Sequence, residues 1–149
     1  MKIVIQRVNR ASVIVNEKTV GEIGKGLFVL FGAGVSDTKR EAEVLAEKLI
    51  KLRVMADPQG KMNLSVADTN SSILVVSQFT LFADTSGGNR PSFIKAKEPN
   101  EAEALYEYFI KLLKNKGINV QTGVFGEYMK INCILDGPVT IILDSEGVE

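Results

Sequence analysis

Apolar residues recur along this chain with two different spacings, and the changes from one to the other mark its elements. Lys2-Ile-Val-Ile-Gln-Arg-Val8 and Ala11-Ser-Val-Ile-Val-Asn16 read as strands, with polar residues at 9–10 and 16–18 as turns. Thr19 to Ile23 is a short third piece closed by Gly24 and Gly26, so the chain is expected to open on a β-meander. Leu27-Phe-Val-Leu-Phe31 is wholly apolar, which suits a strand covered on both faces.

A helical spacing follows. Ala42, Leu45, Ala46, Leu49 and Leu52 fall three and four apart, and Thr38 with Glu41 fits a capping box. Met55 to Asn70 carries the turn signal Asp57-Pro-Gln-Gly60 and little periodicity, so a loop with a short strand or two is expected. Ile73-Leu-Val-Val-Ser-Gln-Phe-Thr-Leu81 reads as another buried strand. Polarity enters it abruptly at Ser77, Gln78 and Thr80, which places hydrogen-bonding side chains at the end of an apolar run.

Ala83 to Pro99 is a long irregular segment holding Gly87, Gly88 and Pro91, and loops of that length are usually functional or interface-forming. A second helix is predicted from Pro99, with Ala102, Leu105, Tyr106, Phe109, Leu112 and Leu113 as its apolar stripe and Gly117 as its stop. Three more strands are predicted: Ile118 to Val124, Met129 to Leu135 and Val139 to Asp144, with turns at Gly126 and Asp136-Gly-Pro138. The order is β-meander, β, α, β, α, three β. It predicts an α/β fold, a mixed and largely antiparallel β-sheet with two flanking helices.

Composition narrows the chemistry. At 149 residues the chain has the size of one domain, so residues 1–149 are expected to form one. No apolar run reaches membrane-spanning length, and Met1-Lys-Ile-Val-Ile looks like a first strand rather than a leader, so a cytosolic protein is expected. Asn63-Leu-Ser65 and Asn70-Ser-Ser72 match the glycosylation pattern, which has no weight without secretion. Cys133 is the only cysteine, flanked by apolar residues, and is expected as a buried thiol.

Lysine and arginine (18) balance aspartate and glutamate (18), which argues against a generic nucleic-acid coat but leaves room for a local basic face. Arg7, Arg10, Lys95, Lys97, Lys111, Lys114 and Lys116 are its candidate contributors. The chain has no histidine. That removes Ser-His-Asp and Cys-His catalysis and every histidine metal motif, so no metal and no cofactor are expected. Chemistry here must use hydroxyls, carboxylates, lysine, backbone dipoles or the substrate itself.

Two short motifs compete for attention. Gly32-Ala-Gly34 lies between an apolar strand and a capped helix, as a dinucleotide fingerprint should, and Asp57 stands where a ribose-binding acid could fall. Asp37 occupies the third glycine position, however, and puts a negative charge where pyrophosphate would sit, so a tight turn with an N-capping acid explains these residues better. Gly137-Pro138 reads at first as a turn before a strand. An X-Pro bond is also able to be cis, and a glycine beside it lets another molecule approach the backbone closely.

Ser77-Gln-Phe-Thr-Leu81 together with Gly137-Pro-Val-Thr140 resembles the paired signature of the D-aminoacyl-tRNA deacylases. Ile5-Gln-Arg-Val8, Ala11-Ser-Val13, Gly60-Lys-Met-Asn-Leu-Ser65, Asn89-Arg-Pro-Ser-Phe93 and Phe125-Gly126 with Met129 follow in the family's order. The chain departs from the pattern at Leu135, where asparagine is usual, at Thr85-Ser-Gly-Gly88, where lysines are frequent, and at Glu127, where a small residue is common.

The resemblance implies a cytosolic homodimer that hydrolyses the ester joining a D-amino acid to the 3′ end of tRNA, and that also clears misattached glycine. By position it implies that Ser77, Gln78, Phe79 and Thr80 line one pocket wall, with Phe125 and Met129 nearby. Gly137 and Pro138, joined by a cis bond, would reach in from the other subunit as a chirality filter held by Arg7. Backbone N–H groups near Phe79 and Thr80 would hold the oxyanion, with water as nucleophile; Thr80 as a covalent nucleophile is the alternative. Two other readings stand beside this one: a non-catalytic tRNA-binding dimer, and a nucleotide-binding oxidoreductase using Gly32 and Gly34.

Overall fold

The computed structural model describes residues 1–148. The strands are β1 (Lys2–Val15), β2 (Lys18–Ile23), β3 (Gly26–Gly32), β4 (Met55–Ala56), β5 (Met62–Leu64), β6 (Ser72–Ser77), β7 (Asn119–Thr122) and β8 (Lys130–Asp144). The helices are α1 (Lys39–Lys51) and α2 (Pro99–Asn115). The main sheet runs β2-β1-β3-β6-β7, and β8 lies along the other side of β1. Pairing is antiparallel around β1 and parallel from β3 through β6 to β7. The predicted class, a mixed and largely antiparallel sheet with two helices, holds.

Both central strands bury both faces. Leu27, Val29, Phe31, Ile73 and Val75 meet the helices through Ala42, Leu45, Leu49, Leu105, Phe109 and Leu113. Phe28, Leu74 and Val76 point the other way and pack under Val8, Ala11, Val13, Val15 and Ile23 of β1 and β2. Thr38 caps α1 in a complete capping box with Glu41, as the sequence predicts. The Thr38 hydroxyl and then its backbone N–H hold the Glu41 carboxyl below its ordinary pKa. That contribution is therefore present at neutral pH and fades as pH falls through the lowered value.

Three element boundaries differ from expectation. Residues 9–10 make no turn, because β1 is one continuous strand. Its buried positions run Ile3, Ile5, Val8, Ala11, Val13, so the alternation slips twice, at the places where the β1–β8 register shifts. These irregularities put Asn9 and Arg10 on the exposed side without reversing the chain.

Asp136-Gly-Pro138 makes no reversal either. It lies inside β8, so the last third holds two strands rather than three. Gln6 pairs with Thr140 and Val8 with Leu135, leaving residues 136–139 bulged opposite Arg7. The stretch 73–81 is a strand only to Ser77; Phe79–Phe82 forms a 3₁₀ turn.

Asp37 is no helix cap. Its buried carboxylate accepts from the Met1 nitrogen at 2.6 Å and from the Gly34 N–H at 2.6 Å, while Thr38 caps the helix. Cys133 is half-buried on β8, with its thiol pKa raised by desolvation. Among the described residues, no helix is long and apolar enough to cross a membrane.

Candidate active site

The parallel strands β3 and β6 end side by side, Phe31 opposite Ser77. Beyond that pair the ladder stops, and a cavity of about 860 Å³ opens. The Gln78 N–H donates to the Phe31 carbonyl at 2.7 Å, which ties the start of the 3₁₀ turn to β3. The turn then exposes Phe79 and Thr80 at the cavity. As the first residues of a helical turn, Phe79 and Thr80 have no intrahelical acceptor for their N–H groups. Neither N–H finds an acceptor elsewhere among the described residues. The Thr80 hydroxyl contacts the Gln78 side-chain amide.

The opposite walls come from segments without regular structure. Phe93 meets Phe79 edge to face, ring centroids 5.0 Å apart, and closes one side. Its loop is fastened by main-chain bonds between Asp84 and Ser92 and by the Lys97 N–H on Ala33 O at 2.9 Å. Lys95 sits 2.8 Å from Asp84 and holds that carboxyl far below the usual range. The Lys97 ammonium donates to Val35 O at 2.9 Å.

Phe125 and Met129, both half-buried, form the far wall with the exposed Tyr128. Behind Phe125 stands Tyr106, whose hydroxyl donates to Val75 O at 2.9 Å and whose pKa is raised by burial. The carbonyl of Val75 also accepts from the Gly123 N–H, so one atom ties α2, β6 and the Phe125 loop together.

The lining is mainly apolar, and Ser77, Gln78 and Thr80 add hydroxyl and amide side chains to it. Its carboxylates are Glu98 and Glu127. Glu98 is engaged in capping α2, accepting from the N–H groups of Asn100 and Glu101. Among the described residues no group of three side chains is placed to hold a metal ion. Such a site suits binding an apolar or aromatic group next to a carbonyl whose oxygen two N–H groups face.

Six of the sequence-predicted residues meet in this cavity: Ser77, Gln78, Phe79, Thr80, Phe125 and Met129. The other three meet elsewhere. The Arg7 guanidinium donates to Asp136 O at 3.2 Å and to Val54 O at 2.9 Å, and pairs with the Asp136 carboxylate at 3.1 Å. Against it lie the exposed Gly137 and Pro138, joined by a cis bond, with Gly137 at φ +134°. These three do not line the cavity of their own chain. Phe31, Phe93 and Lys97 also line it; sequence reasoning had Phe93 only as part of a family motif and Lys97 only as a candidate for a basic face, and placed none of the three in the pocket. For Phe31 the signal was its position, last in an apolar run.

A family described as D-Tyr-tRNA(Tyr) deacylase matches residues 4–144. The chain belongs to that family. A relative from Dehalococcoides mccartyi strain BAV1, called D-aminoacyl-tRNA deacylase, is 57% identical over 97% of this chain and 95% of its own. A solved structure called c-Myc DNA Unwinding Element Binding Protein is 41% identical, with a TM-score of 0.91 over 97% of this chain and 98% of that one. A second, described as a probable eukaryotic D-amino acid tRNA deacylase, is 18% identical with a TM-score of 0.81 over 95% and 97% of the two chains, and shares the fold.

The dinucleotide reading of Gly32 and Gly34 fails on geometry. The Asp37 carboxylate already occupies the Gly34 N–H that a phosphate would need.

Proposed function

We propose that this member of the deacylase family hydrolyses D-aminoacyl-tRNA in the cavity at the ends of β3 and β6. The N–H groups of Phe79 and Thr80, unpartnered among the described residues and belonging to two residues that line an apolar cavity, carry the reading. An aminoacyl ester is already activated. Orientation and two fixed donors at the developing oxyanion supply much of the barrier reduction, with water as nucleophile. Thr80 serves as a positioning hydroxyl rather than a nucleophile, since its oxygen meets the Gln78 amide and no general base.

The filter comes from a second copy. Among the described residues β8 pairs only with β1, and its exposed residues include Ile131, Ile134, Leu135 and Ile142. A long apolar edge of this kind aggregates unless something covers it, and a homodimer covers it symmetrically. In that dimer the partner's Gly-Pro dipeptide closes the cavity. Its rigid main chain blocks an L side chain and its carbonyls take the substrate ammonium. Glycine esters carry nothing to clash and are hydrolysed as well. The setting is cytoplasmic.

D- and L-tyrosyl-tRNA, each with and without the protein, test this directly. Release of tyrosine from the D ester alone is expected. Binding without release would favour a non-catalytic tRNA-binding dimer instead. Thr80→Ala is expected to retain turnover within about tenfold of wild type, the scale of one lost neutral hydrogen bond. Complete loss with intact substrate binding, or an ester trapped on Thr80, would make it the nucleophile.

A further inference from the structure

The two glycines that resemble a nucleotide fingerprint have another use. A Cβ on Gly32 would stand 2.9 Å from the Gln78 carbonyl oxygen and 3.1 Å from Leu81 Cβ. One on Gly34 would stand 2.6 Å from Phe82 Cε1 and 2.9 Å from its Cζ. Apart from Asp37 Oδ2, 3.3 Å from a Cβ on Gly34, the closest atoms all belong to residues 78–82, the segment that carries the Phe79 and Thr80 N–H groups. Neither glycine lies at positive φ, so their own backbone would accept a side chain. What excludes one is the 3₁₀ turn.

We propose that Gly32 and Gly34 are positioning residues for ester hydrolysis. They form a seat without side chains, into which the turn sinks far enough to set the direction of its two free N–H groups. The inference rests on the reading that those groups hold the oxyanion. The seat is fixed from both sides. Gln78 N–H is bonded to Phe31 O at 2.7 Å, and Gly34 N–H to the buried Asp37 carboxylate at 2.6 Å. A methyl group under the turn therefore cannot be absorbed by moving β3, and the turn must rise.

The two positions differ in what would have to move. At Gly32 the nearest obstacle is main chain, which has nowhere to go. At Gly34 it is the tip of one phenylalanine ring, which a smaller side chain removes. This asymmetry separates a positioning role from a general packing one.

The test measures kcat on D-tyrosyl-tRNA, the Kd of a non-hydrolysable amide analogue of D-tyrosyl-adenosine, and Tm for a set of variants of the full chain. For Gly32→Ala, kcat is expected to fall about 10²-fold, the cost of misplacing a catalytic donor by a fraction of an ångström to an ångström. Its analogue Kd stays within about threefold, because the donors act mainly in the transition state. Adding Leu81→Ala does not restore it. Gly34→Ala also loses turnover, but Phe82→Leu in the same chain returns it to near wild type, and Phe82→Leu alone is active.

Wild-type kcat in Gly32→Ala would overturn the proposal. So would kcat and analogue affinity falling together with Tm, or a Gly34→Ala, Phe82→Leu chain that stays inactive. A wild-type chain that releases no D-tyrosine would instead sink the oxyanion reading itself.

Discussion

Phe79→Pro is expected to lower kcat on D-tyrosyl-tRNA by about 10²–10³-fold, the usual cost of removing one oxyanion donor. The substitution deletes a single N–H from a group the fold does not use, since that N–H has no acceptor among the described residues. Proline is also tolerated at this place. Phe79 is the first residue of a 3₁₀ turn, where a fixed φ near −65° fits and no intrahelical bond is lost. The residue before it, Gln78, sits at φ −149° and ψ 87°, outside the α region that a following proline forbids. Phe79→Leu separates the ring from the N–H: it loses the contact with Phe93 and keeps the donor, so most of the turnover remains. Equal activity of the proline and leucine variants would remove Phe79 N–H from the mechanism.

Gly137→Ala is the second large effect. Gly137 lies at φ +134°, a conformation that L side chains rarely adopt. A Cβ there would stand 2.8 Å from Val139 Cγ2 and 2.9 Å from the Val139 nitrogen, with Arg7 Nη2 at 3.4 Å. The dipeptide must therefore shift, although Arg7 still holds Asp136 beside it. D-tyrosyl-tRNA turnover is expected to fall about 10²-fold under the proposal that this dipeptide closes the other subunit's cavity, since the main chain would then be misplaced. The variant stays folded, as Gly137 is exposed and outside the core. Unchanged D-ester turnover would mean that close approach at this glycine is not how the site works.

The helices were the most legible elements. Thr38, Glu41 and the stripe from Ala42 to Leu49 define α1, and Pro99 and Gly117 bracket α2. The strands were legible as buried runs, but their continuity was not. A hairpin turn and a bulge inside a strand both use glycine, proline, aspartate and exposed polar residues. Asn9-Arg10 and Asp136-Gly-Pro138 therefore look like chain reversals, and only the long ladder between β1 and β8 shows that the chain continues.

Ser77 to Thr80 showed as polar residues ending an apolar run, which correctly marked an edge. The 3₁₀ turn that follows packs directly over Gly32 and Gly34, where a Cβ would meet it, and no local pattern records that contact. The place of Phe93 and Lys97 at the cavity was hidden for a similar reason. They lie in an aperiodic loop whose path is set by main-chain bonds to Ala33 and Val35 just past β3, far away in sequence. Arg7, Gly137 and Pro138 lie outside their own chain's cavity, which no spacing or periodicity in the chain signals; only the family resemblance led to expecting them at the site of a second subunit.

Mixing the two variants is the most direct measurement of that placement. Phe79→Pro damages the cavity, and Gly137→Ala damages the dipeptide proposed to close the cavity of the other subunit. In a dimer formed from one chain of each, one site pairs an intact cavity with an intact dipeptide. Random reassociation after dissociation makes half of the dimers mixed, so about a quarter of wild-type activity should return. A mixture no more active than its two components would contradict a cavity completed across the subunit interface.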